Sequence, residues 1–166
     1  MMAPGTPAID RSLLDEVTQF IYREARLQDD HAYDEWEMLW TDDGIYWIPA
    51  NGEGTDPENE MSIIYDNRSR ISLRIKQFHT GKRFSQTPRS RLRRVVSNIE
   101  ILQAVDADIL VTSNAMVFES TTRGDTIWAS RNEYQLRRIG DELRMASKKV
   151  ILVNNDTALY SMAFLI

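Results

Sequence analysis

From Leu92 onward the chain is a succession of β-branched-rich runs separated by short polar clusters, and this pattern constrains the fold more than any other feature. The runs are Leu92 to Val105, Ile109 to Glu119, Ile127 to Ile139 and Leu143 to Val153, with a terminal piece, Tyr160 to Ile166. The breaks are Asp106-Ala107-Asp108, Arg123-Gly124-Asp125, Gly140-Asp141-Glu142 and Asn154-Asn155-Asp156, the kind of cluster that closes an antiparallel hairpin. A meander is therefore expected, with the final Ala-Phe-Leu-Ile read as a buried terminal strand or an intersubunit contact. Side chains alternate between the faces of a strand. Val95, Ile99 and Ile101, and later Ile151 and Val153, are assigned to the buried parity, with Asn98, Glu100 and Lys148 on the wetter one.

A sheet with one apolar face needs a cover, and only the N-terminal half of the chain offers one. Asp10 or Ser12 caps a helix whose apolar positions Leu13, Leu14, Val17, Phe20, Ile21 and Leu27 recur at helical spacing. Asp29 and Asp30 interrupt it, and a second short helix presents Tyr33, Trp36, Leu39 and Trp40 on one side. Asp42-Asp43-Gly44 reads as a turn before a short edge strand, Ile45 to Ile48, that stops at Pro49. The stretch from Asn51 to Glu60 is loop by composition. A third helix is expected from Glu60 to about Phe78, through Ile63, Ile64, Ile71 and Ile75. The fold class is thus α+β, three N-terminal helices packed on one face of a long curved antiparallel sheet. At 166 residues the chain makes one domain, 1–166, with residues 1–9 as a flexible tail.

Composition removes several chemistries. With no cysteine there is no thiolate metal site, no cysteine nucleophile and no disulfide, and two histidines cannot build a three-histidine site. A two-histidine, one-carboxylate iron site would need both His31 and His79. No Gly-x-Gly-x-x-Gly, phosphate-loop or nucleophile-elbow pattern occurs. A formal charge of -5 argues against a general polyanion binder. Neither a signal peptide nor an apolar run near the roughly 20 residues of a spanning helix is present, so a soluble cytoplasmic protein is expected.

Two constellations remain. Asp29, Asp30, His31, Tyr33 and Asp34 could form an acid–base cluster in a cone-shaped pocket, the basis of a stand-alone isomerase or dehydratase using His31, Tyr33 and Asp34. The alternative is that the aspartates end one helix and cap the next while Tyr33 packs against Trp36. His79 falls in a loop-like segment. The four tryptophans read as core. The second constellation is a carboxylate-free segment between Phe78 and Ile99 carrying Lys82, Arg83, Arg89, Arg91, Arg93 and Arg94. Its functional reading is a docking surface for an acidic partner. Its alternative is intramolecular pairing with the acidic loop from Asp56 to Glu60, with nucleic acid a distant third because only Phe84 offers stacking.

Taken together, FIYREARLQDDHAYDEWEMLWTDDGIYWIPA, IIYDNRSRISLRI, SQTPRSRLRRVVSNIEI and ASKKVILVN with an apolar terminus resemble the small (beta) subunits of aromatic-ring-hydroxylating dioxygenases, in the benzoate- and salicylate-like branch. Leu143-Arg144-Met145 stands where many relatives carry a tryptophan. The resemblance implies a cystatin-like, nuclear-transport-factor-like cone and a structural subunit with no catalytic residue or cofactor of its own. It implies a large-subunit partner holding a Rieske iron–sulfur cluster and a mononuclear iron. It further implies trimeric self-association in a three-plus-three complex, with no nucleic-acid or membrane partner, serving the hydroxylation of an aromatic, expected to be an aromatic acid, in aromatic catabolism.

Overall fold

The computed structural model describes residues 8–80, 89–157 and 164–166. Helix α1 (Arg11–Asp29) starts at Asp10, whose carboxylate accepts the Leu13 amide at 3.1 Å. Helix α2 (Tyr33–Glu37) is a single turn, followed by β1 (Trp40–Pro49) and β2 (Ser62–Asp66). Helix α3 (Arg68–His79) is capped by Asn67. Four long strands complete the chain: β3 (Arg91–Val105), β4 (Asp108–Thr121), β5 (Gly124–Ile139) and β6 (Glu142–Leu152). The sheet order is β2-β1-β6-β5-β4-β3. All pairs are antiparallel except β1 with β6. The helices cover one face, with α1 against β3 and α3 against β1.

The meander matches its sequence signal closely, but four details before it differ. The run from Glu60 to Phe78 is not one helix: Ser62–Asp66 pairs with β1, and the helix begins only at the Asn67 cap. Strand β1 is ten residues long and lies inside the sheet, because it pairs with β2 on one side and with β6, remote in sequence, on the other. Asp42-Asp43-Gly44 is an irregularity within β1, where the register shifts between Trp40 and Ile45. A side chain at Gly44 would meet the Trp40 ring at 2.7 Å, so only glycine fits there. His79 closes α3 and does not sit in a loop.

Two parity assignments invert. A register shift between Ser97 and Glu100, with Asn98 at φ 56°, changes the inward set of β3 from Leu92, Arg94 and Val96 to Ile99 and Ile101. A slip of one residue exchanges the faces of a strand, and Val95 is accordingly 57% exposed. In β6 the inward set is Ala146, Lys148, Val150 and Leu152, so the lysine is inside while Val153 is in solvent. The terminal segment is no strand where it is described. Phe164, Leu165 and Ile166 are buried in the core, Phe164 edge-on to Trp128 at 5.9 Å. Tyr160 and its neighbours to residue 163, and most of the expected tail, lie outside the described residues.

Candidate functional site

The acid–base cluster does not assemble. His31, at φ 54° between α1 and α2, directs Nε2 to the Ser90 carbonyl at 2.8 Å; a carbonyl only accepts, so this nitrogen carries the hydrogen. Nδ1 lies 2.6 Å from the Tyr33 hydroxyl. Tyr33 is buried against Phe78, and burial pushes its phenol up to about 12. Asp34 faces water and accepts from His79 Nε2 at 2.7 Å. Asp29 belongs to a different contact, and Asp30 is exposed. Two surface cavities, of about 380 and 300 Å³, are lined by other residues. His31 and Tyr33 thus pair with each other while Asp34 pairs with His79 at the surface, so the three do not converge on one point, against the isomerase expectation.

The interior of the cone holds a buried polar network that the hydropathy pattern concealed. Lys148 Nζ donates to Glu24 Oε1 at 2.6 Å and to Gln28 Oε1 at 3.3 Å. The same glutamate accepts from Trp36 Nε1 at 3.1 Å and from the Tyr134 hydroxyl at 3.4 Å. Beside it, Arg94 donates Nε to Asp29 Oδ1 at 2.8 Å and its backbone amide to Oδ2 at 3.0 Å. Arg94 also reaches Gln28 and the Leu165 carbonyl. Two cations face two carboxylates through one glutamine, so the group is neutral overall. Burial lowers the Lys148 ammonium, the nearby Arg94 charge adds to the fall, and Glu24 opposes it. Tyr46 and Tyr134 are both raised by burial, and the Tyr46 hydroxyl donates to the Ile166 carbonyl. Two signals could have exposed the pair: Glu24 continues the Val17–Ile21 stripe, and Lys148 shares parity with Ala146, Val150 and Leu152.

Among the described residues no helix covers the opposite face of the sheet, and the β1–β2 loop reaches it at Gly54, whose carbonyl accepts from Lys149 Nζ at 2.8 Å. The register brings Arg93 beside Phe118 and Phe118 beside Ile127, while Val95 lies beside Met116 and Met116 beside Ala129. Phe118 and Ile127 are 45% and 56% exposed. Of the six cations in the basic segment, Lys82 and Arg83 lie outside the described residues, and Arg89, Arg91 and Arg93 are exposed. Arg94 instead turns inward, its side chain 3% exposed. The acidic loop does not neutralise the arginines. Glu60 accepts from Thr55, Asp56 from Asn59 and Glu58 from the Tyr65 hydroxyl, while Glu53 meets Arg131 at 3.0 Å. Trp36, Trp40 and Trp128 are core, but Trp47 is half-buried on the uncovered face, with Lys149 Nζ 4.5 Å from its ring.

The ring hydroxylating beta subunit family model matches residues 23–157. The chain is 30% identical over 139 residues to the small oxygenase component of the p-cumate 2,3-dioxygenase system of Pseudomonas putida, covering 82% of this chain and 77% of that protein. It is 26% identical to the benzoate 1,2-dioxygenase beta subunit of Acinetobacter baylyi, covering 91% and 92% of the two. Among solved structures, the beta subunit of benzoate 1,2-dioxygenase from Burkholderia mallei aligns with a TM-score of 0.76 at 25% identity, over 96% of this chain and 100% of that one. A cystatin-like protein from Novosphingobium aromaticivorans shares the fold at a TM-score of 0.58 and 16% identity, covering 84% and 81% of the two chains.

Proposed function

The chain belongs to the ring hydroxylating beta subunit family and is the non-catalytic subunit of an aromatic-ring dioxygenase, and we propose that its work is to hold that enzyme together. In this proposal it joins a large subunit that carries the Rieske cluster and the mononuclear iron, three copies of each, in the cytoplasm. Relatives named for halobenzoate, benzoate and toluate support an aromatic acid as the substrate class. This chain's own residues do not fit either iron group. It has no cysteine, and its two histidines have the separate partners described above. Among the described residues no group of three or more His, Cys, Asp or Glu is arranged around a common point. No helix of the described residues is long and apolar enough to cross a membrane.

The observation that carries the proposal is the uncovered sheet face. A stable monomer rarely leaves a contiguous apolar patch in water, and arginine beside large apolar groups is the composition enriched at subunit interfaces. Arg89, Arg91 and Arg93, with Lys82 and Arg83 nearby in sequence, are assigned to this assembly surface; Arg94 supports it from inside. Co-expression with the large subunit and an affinity tag on this chain should recover both chains in equal number, with the mass of a three-plus-three complex. A tagged chain that emerges alone, with the large subunit soluble in the flow-through, would contradict the proposal.

A further inference from the structure

We propose that copies of this chain join head to tail, the arginine edge at the start of β3 in one copy set against the acidic β1–β2 loop of the next, and that three such contacts close the ring. This rests on the trimeric reading above and identifies the surfaces that make the trimer.

The charges of this chain are segregated along its sequence. From Leu27 to Asn67 there is no Lys or Arg, and from Asn67 to Ile99 there is no Asp or Glu. Folding pairs part of the two sets internally, through Arg68–Glu37, Arg74–Asp66, His79–Asp34 and Arg94–Asp29. Single charges such as Arg70, Lys76, Asp30, Glu35 and Asp42 stay exposed without an ion pair among the described residues, and two clusters of like charge stand out beside them. Arg89, Arg91 and Arg93 are exposed and make no ion pair among the described residues. Asp56, Glu58 and Glu60 are bound only by neutral donors, which orient the carboxylates without cancelling their charge.

Topology keeps these groups apart within one copy. They belong to β3 and to the connection into β2, the two edges of the sheet. Five strand spacings separate those edges, roughly 24 Å along the sheet at about 4.8 Å each, against a screening length of about 8 Å at physiological salt. The register also puts both groups at the same end of the sheet. Strand β3 begins beside the end of β4 and the start of β5; Ser130 near that start faces Leu152 at the end of β6; and β1 runs parallel to β6, so Pro49 and the loop after it close the same end. Copies around a rotation axis all stand the same way up, so complementary patches must lie at one height on opposite sides of the molecule. These do. A two-fold contact would set the arginine edge against itself, and like charges facing each other across an interface are unfavourable. Each patch also has an apolar companion: Val95 and Phe118 beside the arginines, Met61 and Ile63 beside the acidic loop, all exposed.

The test is a charge swap in the full chain, read by sedimentation and repeated on the complex with the large subunit. Arg89→Glu, Arg91→Glu and Arg93→Glu together should raise the concentration for half-assembly by about ten-fold or more, as should Asp56→Lys, Glu58→Lys and Glu60→Lys together, while circular dichroism is unchanged. Combining all six should restore assembly to within about three-fold of the natural chain, because attraction returns with its sign reversed. If the arginine triple does not fold, Arg91→Glu with Glu58→Lys carries the same comparison. Trimers that survive both reversals, or a six-fold variant as dissociated as the triples, overturn the proposal. So does an arginine variant that still forms trimers but no longer captures the large subunit, which would assign the edge to that subunit instead. A natural chain that is monomeric both alone and in its complex would overturn the trimeric reading itself, a separate result.

Discussion

Replacing Glu24 by leucine should cost this protein about 3–5 kcal/mol of folding stability, enough to remove a large part of the 5–15 kcal/mol typical of a domain. The substitution strips the partner from Lys148, which is 1% exposed, and leaves the Trp36 indole N–H and the Tyr134 hydroxyl without their acceptor. A buried ammonium without a counter-charge is the dominant penalty. Adding Lys148→Met should recover most of the loss, since it removes the uncompensated buried charge and keeps a similar volume. A double-mutant cycle by urea denaturation, at fixed protein concentration because assembly contributes to apparent stability, measures the coupling. Single and double variants of equal stability would show that Lys148 is solvated and the pair dispensable.

The second large effect belongs to the other face. Phe118→Asp together with Ile127→Asp should cost the isolated chain much less than it costs assembly, because both side chains already stand about half in water. Assembly should weaken by about 2–4 kcal/mol, roughly 30- to 1000-fold, if these neighbours lie at the desolvated centre of an interface. Thermal unfolding of the chain alone and gel filtration of the complex separate the two effects. An intact complex carrying both aspartates would remove this patch from the interface.

How much of this was legible depended on how local the signal is. The four long strands and their turns were legible because β-branched runs and Gly/Asp clusters act over a few residues, as at Arg123-Gly124-Asp125. Strand β2 was not, since Ile63 and Ile64 stand eight and seven residues before Ile71, a separation that fits a helix; only pairing with β1 decides otherwise. The interior place of β1 depends on β6, about a hundred residues away. Parity opposite to Ile151 and Val153 points Lys148 outward, and its inward direction follows from a register set by the neighbouring strands. Val95 was misplaced because parity counting cannot see the shift at Asn98. The basic segment was visible, yet the separation of Arg94 from Arg91 and Arg93 needed the Asp29 carboxylate at the end of α1. Charge indicates a surface, but alternation within the strand decides which members reach it.

The central claim, an assembly subunit with the oxidative chemistry on its partner, is tested most directly by the distribution of iron and activity. The chain purified alone, and the same chain purified with the large subunit, should be compared by elemental analysis and by oxygen uptake with an aromatic acid. Iron and oxygen uptake are expected only in the complex, with less than about one-tenth of an iron per chain in the isolated protein. About one tightly held metal per isolated chain, or turnover of an aromatic by that chain alone, would contradict the claim.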